Sequence, residues 1–149
     1  MSTVQGIDHI AVAVDDLDEA TRLWRDVLGL REGAREVVEE QGVEVQMMHA
    51  GAVRVELLRA LGPDTPVGRY LQKNGPGMHH LALQVDDCAT AARDAAAAGA
   101  RMIDREPRRG AHDTRIAFVH PAASGGVLVE FVEPPAAPEG PQVSAEELL

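Results

Sequence analysis

Two histidines and two glutamates recur at matched places in this chain, and together they make a donor set for a divalent cation. His9 and His80 stand 71 residues apart, as do Val14 and Val85, and Asp16 and Asp87. Glu56 and Glu130 stand 74 apart, so the second copy carries about three extra residues in a loop. The matching strings are IDHIAVAVDDL (7–17) with MHHLALQVDDC (78–88), then VRVELL (53–58) with VLVEFV (127–132). Neutral imidazoles and carboxylates suit Co²⁺, Mn²⁺, Ni²⁺ or Zn²⁺, with positions left open for water or substrate. A lone strand histidine is more often structural than ligating. A His and a Glu at matched positions of both copies point to a shared metal site.

The elements that must carry these residues are legible from periodicity. Residues 7–14 alternate as a strand, with Ile10, Val12 and Val14 on a packing face and His9, Ala11 and Ala13 on the other. The second copy repeats this: Leu81, Leu83 and Val85 pack, while His80 and Ala82 look away. In the closing strands Val55 and Leu57 oppose Glu56, and Val129 and Phe131 oppose Glu130. Asp16 caps a helix with Leu17, Ala20, Trp24, Val27 and Leu28 on one face and Gly29 at its end. A second helix from Asp87 to Ala98 packs through Ala91, Ala92 and Ala95. Three strands follow each helix, near 32–38, 43–49 and 53–59, then near 101–104, 113–119 and 126–132. By the same alternation His79 points away from His80. The fold class is α+β, with two tandem βαβββ modules forming a curved sheet around a metal-containing cavity.

Residues 1–133 read as a single domain, with module one at about 5–60, a linker at 61–76 containing a short helix at 66–73, and module two at 77–133. Residues 134–149 read as a flexible acidic tail. The length of 149 residues and 45% hydrophobic content suit one globular core, although only Trp24, Tyr70, Phe118 and Phe131 are aromatic. A net charge of −10 argues against nucleic acid as a partner. Cys88 is the single cysteine, which excludes an internal disulfide and a thiolate-rich metal site. No apolar stretch is long enough for a bilayer and no signal segment precedes the first strand, so a cytoplasmic protein without membrane contact is expected.

At these residues the chain resembles the vicinal oxygen chelate (glyoxalase-like) superfamily, and within it the methylmalonyl-CoA epimerase family. The resemblance spans about residues 5–133 and rests on DHIAVAV (8–14), WRDVLGL (24–30), VELL (55–58), LGPDTPVGRYLQKNGPGMHHLAL (61–83), EPRRGAH (106–112) and HPAASGGVLVEFVE (120–133). It implies a vicinal oxygen chelate fold and metal ligands at His9, Glu56, His80 and Glu130, with Glu56 where some epimerases have glutamine. Co²⁺ is the expected ion, with Mn²⁺, Ni²⁺ or Zn²⁺ as alternatives. It further implies an isomerase that interconverts (2R)- and (2S)-methylmalonyl-CoA by 1,1-proton transfer through a metal-stabilised enolate, and a homodimer.

Epimerisation needs a proton donor and acceptor on opposite faces of the enolate. The resemblance gives Glu130 one face. Where some family members place the second carboxylate this chain has Val45, and Glu44 is one residue off and should face the other way. Either a bulge near Gly42 turns Glu44 into the cavity as the second catalytic base, or another group, such as a metal-bound water or His112, serves. His112 and Arg109 are candidate substrate contacts; Arg109 lies with Arg101, Arg105 and Arg108 in the basic cluster that coenzyme A phosphates would need. A glyoxalase I-like lyase, or another metal-dependent isomerase of the superfamily, would use the same four ligands. Extradiol dioxygenases need a further catalytic His and Tyr, and Tyr70 is the one tyrosine here. A metal-free small-molecule binding protein is the alternative of another class, against which the aromatic-poor composition speaks.

Overall fold

Eight strands and three α-helices alternate along the computed structural model, which describes residues 1–136. Module one holds β1 (Val4–Ala13), α1 (Leu17–Arg22), β2 (Arg31–Val38), β3 (Val43–Ala50) and β4 (Val53–Ala60). After α2 (Pro66–Asn74), module two holds β5 (Gly77–Val85), α3 (Cys88–Ala97), β6 (Arg108–Arg109), β7 (Arg115–Val119) and β8 (Val129–Glu133). One sheet joins them in the order β2-β3-β4-β1-β5-β8-β7-β6. β4 lies parallel to β1 and β8 parallel to β5, while β1 and β5 run antiparallel. The order is thus symmetric about the β1–β5 seam, as duplication of one βαβββ unit requires. This is the vicinal oxygen chelate fold. The sheet curls until its two edges touch: Glu36 of β2 accepts a hydrogen bond from the backbone N–H of His112, just beyond β6 (2.8 Å).

Alternation sorts the side chains into two layers. On the convex face Leu17 of α1, with Trp24 beside it, packs on Val14, Met48, Val55 and Leu57. Ala91 and Ala92 of α3 pack on Val85, Ala117 and Phe131; their small size lets the helix lie close to the sheet. On the concave face Ala11, Ala13, Val38, Val43, Val45 and Leu58 meet Val67 of α2, and Ala82 meets Ile116, Phe118 and Val132. Removing these side chains from water supplies the main driving force for closing the sheet. Asp16 and Asp87 cap α1 and α3 by accepting from Glu19 N (2.9 Å) and Thr90 N (3.0 Å). Thr65 caps α2 from the residue before Pro66. Gly42 turns the chain into β3 at φ +67°, with Thr65 Cγ2 2.5 Å from where a Cβ would sit, so no other residue fits there.

Three expectations are corrected. The first helix does not stay regular to Leu28: Leu23–Val27 form a π-helical turn, in which Leu28 N donates to Leu23 O (3.1 Å). The extra residue in that turn rotates the face, leaving Val27 and Leu28 exposed rather than packed. Residues 101–104 make a single bridge, Met102 to Val119, because the Asp104 side chain takes the Phe118 N–H (2.9 Å). The strand pairing with β7 is the two-residue β6. His79 does not point away from His80, for a reason given below. Most of the expected tail, residues 137–149, lies outside the described residues.

Candidate active site

The register across the seam places the four repeated residues around two alanines. Ala11 of β1 pairs with His80 of β5 on one side and Glu56 of β4 on the other. Ala82 of β5 pairs with His9 of β1 and Glu130 of β8. Both alanines are fully buried, and a methyl between each His and Glu leaves space that a larger side chain would fill. The two rows are related by the same pseudo-twofold axis as the modules.

The seam carries three register shifts; one lies at its outer end, between Val4 and Gly6, and the two β-bulges that concern the site fall at equivalent positions of the repeat. Ile7 pairs with Leu83 and His9 with Ala82, leaving Asp8 extra; Ala11 pairs with His80 and Val12 with Met78, leaving His79 extra. Each bulge breaks strict alternation and brings the residue before a ligand candidate onto that candidate's ring. Asp8 Oδ2 lies 2.7 Å from His9 Nδ1. His79 Nδ1 lies 2.8 Å from His80 Nδ1. Sequence reasoning missed Asp8 as a site residue and sent His79 to the wrong side, because period-two patterning cannot register an extra residue. The only hint was that 8 and 79 share the 71-residue offset.

Both imidazoles therefore have Nδ1 occupied and turn Nε2 toward the cavity, 3.2 Å apart. Glu130 completes the group, with its oxygens 3.4 Å from His9 Nε2 and 3.8 Å from His80 Nε2. Glu56 stands on the other side of His9, its Oε2 2.7 Å from Nδ1. Arg54, another residue the sequence reading did not single out, donates to Asp8 Oδ1 (2.6 Å). His9, Glu56, His80 and Glu130 are all buried, with at most 7% of each exposed.

Burial in this cluster disturbs every proton equilibrium. Burial by itself would drive proton loss from His9, but Glu56, Asp8 and Glu130 outweigh it and push the imidazolium up to about 10. His80 is held well below the ordinary histidine value, first by burial and then by His9 and His79. Glu130 is pushed up to about 8, first by burial and then by Glu56 and Asp8. His9 thus favours its charged form and His80 its neutral form, with their Nε2 atoms within hydrogen-bond distance.

The donor set fits a divalent cation. His9 Nε2, His80 Nε2 and a Glu130 oxygen converge within one coordination sphere. Glu56, the fourth expected ligand, lies instead with Asp8 on the Nδ1 side of His9, so the structure brings three of the four together. An M²⁺ ion that displaces one proton from His9 and one from Glu130 leaves the total charge of the site unchanged.

A small cavity opens above this floor, lined also by Gln41, Met47, Leu58, His112, Thr114 and Ile116. Val45 takes the buried concave position of β3 and Glu44 the opposite face. There is no bulge near Gly42: β3 pairs with β4 in unbroken register from Val43 to Ala50. Glu44 instead forms an ion pair with Arg59 (3.2 Å), so the structure does not bring it to the cavity. Arg109 stays on the exposed rim, paired with Asp113 (3.2 Å) and 3.9 Å from Glu40. Cys88 is buried under α3 and its thiol is pushed up to about 12, mainly by burial, which excludes it as a nucleophile.

The sequence profile of the Glyoxalase/Bleomycin resistance protein/Dioxygenase superfamily matches residues 8–118. The mitochondrial methylmalonyl-CoA epimerase of Mus musculus is 41% identical over 126 residues, covering 84% of this chain and 71% of its own. The chain belongs to the methylmalonyl-CoA epimerase family. Among solved members, the crystal structure of the epimerase from Mycobacterium tuberculosis superposes with a TM-score of 0.85 at 36% identity, covering 91% of this chain and 90% of its own. A variant of the Streptomyces coelicolor epimerase, solved in complex with 2-nitronate-propionyl-CoA, gives a TM-score of 0.87 at 38% identity, covering 90% of this chain and all of its own. The shared family accounts for the eight-stranded curled sheet and for a site built on the seam between two modules. Among the described residues, no helix is long and apolar enough to cross a membrane.

Proposed function

We propose that this chain is a divalent-metal-dependent epimerase that interconverts (2R)- and (2S)-methylmalonyl-CoA, acting as a homodimer in the cytoplasm and folding as one domain through residue 133. The observation that carries the reading is the convergence of His9, His80 and Glu130 at the floor of a cavity in a chain of this family. His9, His80, Glu130 and Glu56 are the ligands that would hold the ion, Co²⁺ first among the candidates. A bound divalent cation supplies Lewis-acid stabilisation for negative charge developing on the thioester oxygen.

The protein's own residues do the rest. Asp8 and His79 hold the Nδ1 atoms of His9 and His80 and so fix which nitrogen each ring presents. Glu130, raised in proton affinity by burial, is matched to taking a proton from a weak carbon acid and returning it. The apolar walls formed by Met47, Leu58 and Ile116 exclude water from the carbon centre. Next to the cavity, Val67, His79, Phe118 and Arg108 line a cleft that suits the acyl thioester, and the exposed side chains of Arg105 and Arg109 are the cations we assign to the coenzyme A phosphates.

The test is incubation of each epimer of methylmalonyl-CoA in deuterated water. The expected result is deuterium at C2 appearing together with the opposite epimer. Conversion of the methylglyoxal–glutathione hemithioacetal with no epimerisation would assign the chain to glyoxalase chemistry instead.

A further inference from the structure

We propose that His112 is the proton carrier for the face of C2 that Glu130 cannot reach, and that Glu36 is its positioning residue. The proposal rests on the epimerase reading and supplies the group that this chain's Val45 leaves missing. On β3, the residues facing the cavity side are Val43, Val45 and Met47, none of which carries a proton. The carboxyl and imidazole groups that line the cavity are Asp8, His9, Glu56, His80 and Glu130, all in the interlocked floor, and His112.

His112 enters from elsewhere. It sits in the turn Ala111–Asp113 at the far edge of module two, while Glu36 belongs to β2 at the far edge of module one. Glu36 Oε2 accepts the His112 backbone N–H at 2.8 Å and lies 3.3 Å from its Nδ1. One carboxylate oxygen thus holds the backbone and stands beside the ring, across the line where the curled sheet closes on itself. The floor residues lie on β1, β4, β5 and β8 of the same sheet, and His112 lines the same cavity from the closing edge.

Two further features set this histidine apart. Its Nε2 is shut off from solvent and has no hydrogen-bond partner, which is costly for a polar atom unless a ligand completes it. Its backbone is left-handed (φ 57°, ψ 40°), and so is that of Asp113 (φ 57°); among the described residues these are the two non-glycine positions with positive φ. Such conformations are uphill for side chains with a Cβ and persist where surrounding contacts impose them, often at functional sites. A histidine with a carboxylate beside Nδ1 and with Nε2 free is placed for proton transfer at Nε2.

In the forward direction, Glu130 takes the C2 proton and the C–H electron pair moves into the enolate. Imidazolium His112 then gives its Nε2 proton to C2 on the opposite face, and the enolate electrons form the new C–H bond. Glu130 is left protonated and His112 neutral. Exchange with solvent, or reaction of the other epimer by the reverse path, resets both.

The experiment compares wild type with His112→Gln, His112→Gly and Glu36→Gln, each checked for unchanged metal content. Wild type must first interconvert the epimers; if it does not, the epimerase reading fails before this proposal is reached. In His112→Gln, inversion should fall by about 10²–10⁴. The epimer whose C2 proton faces Glu130 should still exchange it for deuterium with retention, while the other epimer should neither exchange nor invert. In His112→Gly, which the left-handed backbone tolerates, added imidazole should restore inversion. Glu36→Gln should lower kcat with little change in KM, and Glu36→Asp should recover part of it. Inversion at the wild-type rate in His112→Gln would overturn the proposal, as would equal loss of exchange for both epimers. A Glu36→Gln effect confined to KM would overturn the positioning role.

Discussion

His9 and His80 meet across the axis that relates the two modules, their Nε2 atoms 3.2 Å apart. Two bare lone pairs cannot face one another at that distance, and without a metal charged His9 beside neutral His80 is the favoured state. A cation bound by both rings and by Glu130 must displace a proton from His9. His80→Ala or Glu130→Ala should therefore lose the metal and abolish epimerisation, and chelation of the wild type should do the same. Metal content measured beside turnover checks this, and full turnover of metal-stripped protein would contradict it.

Metal uptake should also be coupled to protons. With His9 raised to about 10 and Glu130 to about 8, both hold protons at neutral pH that an ion has to displace. Binding should release about two protons at pH 7, and affinity should rise as pH increases toward 8 and beyond. Calorimetry in buffers of different ionisation enthalpy counts the protons directly.

The same shifts predict how the metal-free protein responds to pH. Glu130 and His9 both bind protons more tightly folded than unfolded, where their ordinary values are 4.5 and 6.5. Their contribution is therefore present in full below those values and lost as pH rises through about 8 and about 10. His80, whose proton affinity is lowered in the folded protein, acts in the opposite direction below its ordinary value of 6.5. Thermal unfolding of metal-free protein should therefore show Tm falling from about pH 7 toward pH 9, and a bound ion should flatten the slope.

Asp8 connects Arg54 to His9 Nδ1 and does not point at the cation site. Asp8→Asn should leave the fold intact but cost about 10–100-fold in metal affinity, the usual effect of loosening a ligand's outer partner. A metal titration of the variant against wild type decides it.

Ala82 separates His9 from Glu130 within one row of the sheet. Ala82→Val should overpack this point, costing about 1–3 kcal/mol of stability and lowering metal affinity together with it. By contrast Glu44, paired with Arg59 at the partly exposed edge of the other face, should tolerate Glu44→Gln with turnover near wild type and a stability change of less than about 1 kcal/mol.

The sequence by itself determined the duplication, the βαβββ order and the four residues at the centre. Each of these is written in local periodicity or in a fixed offset, and both survive without knowledge of any distant contact. Alternation also placed His9, His80, Glu56 and Glu130 on one face, because a strand has only two. Tertiary structure decided what alternation cannot express. Beside each histidine the seam between β1 and β5 absorbs one extra residue, and only the pairing of two strands about seventy residues apart reveals that Asp8 and His79 turn to join their histidines. The closing of the sheet decided the partner of His112, since Glu36 lies 76 residues away on the opposite edge. It also decided against Glu44, whose expected bulge never forms because β3 is held on one side by an unbroken ladder to β4. A strand's period is local, but a bulge or a meeting of edges is a property of the pair.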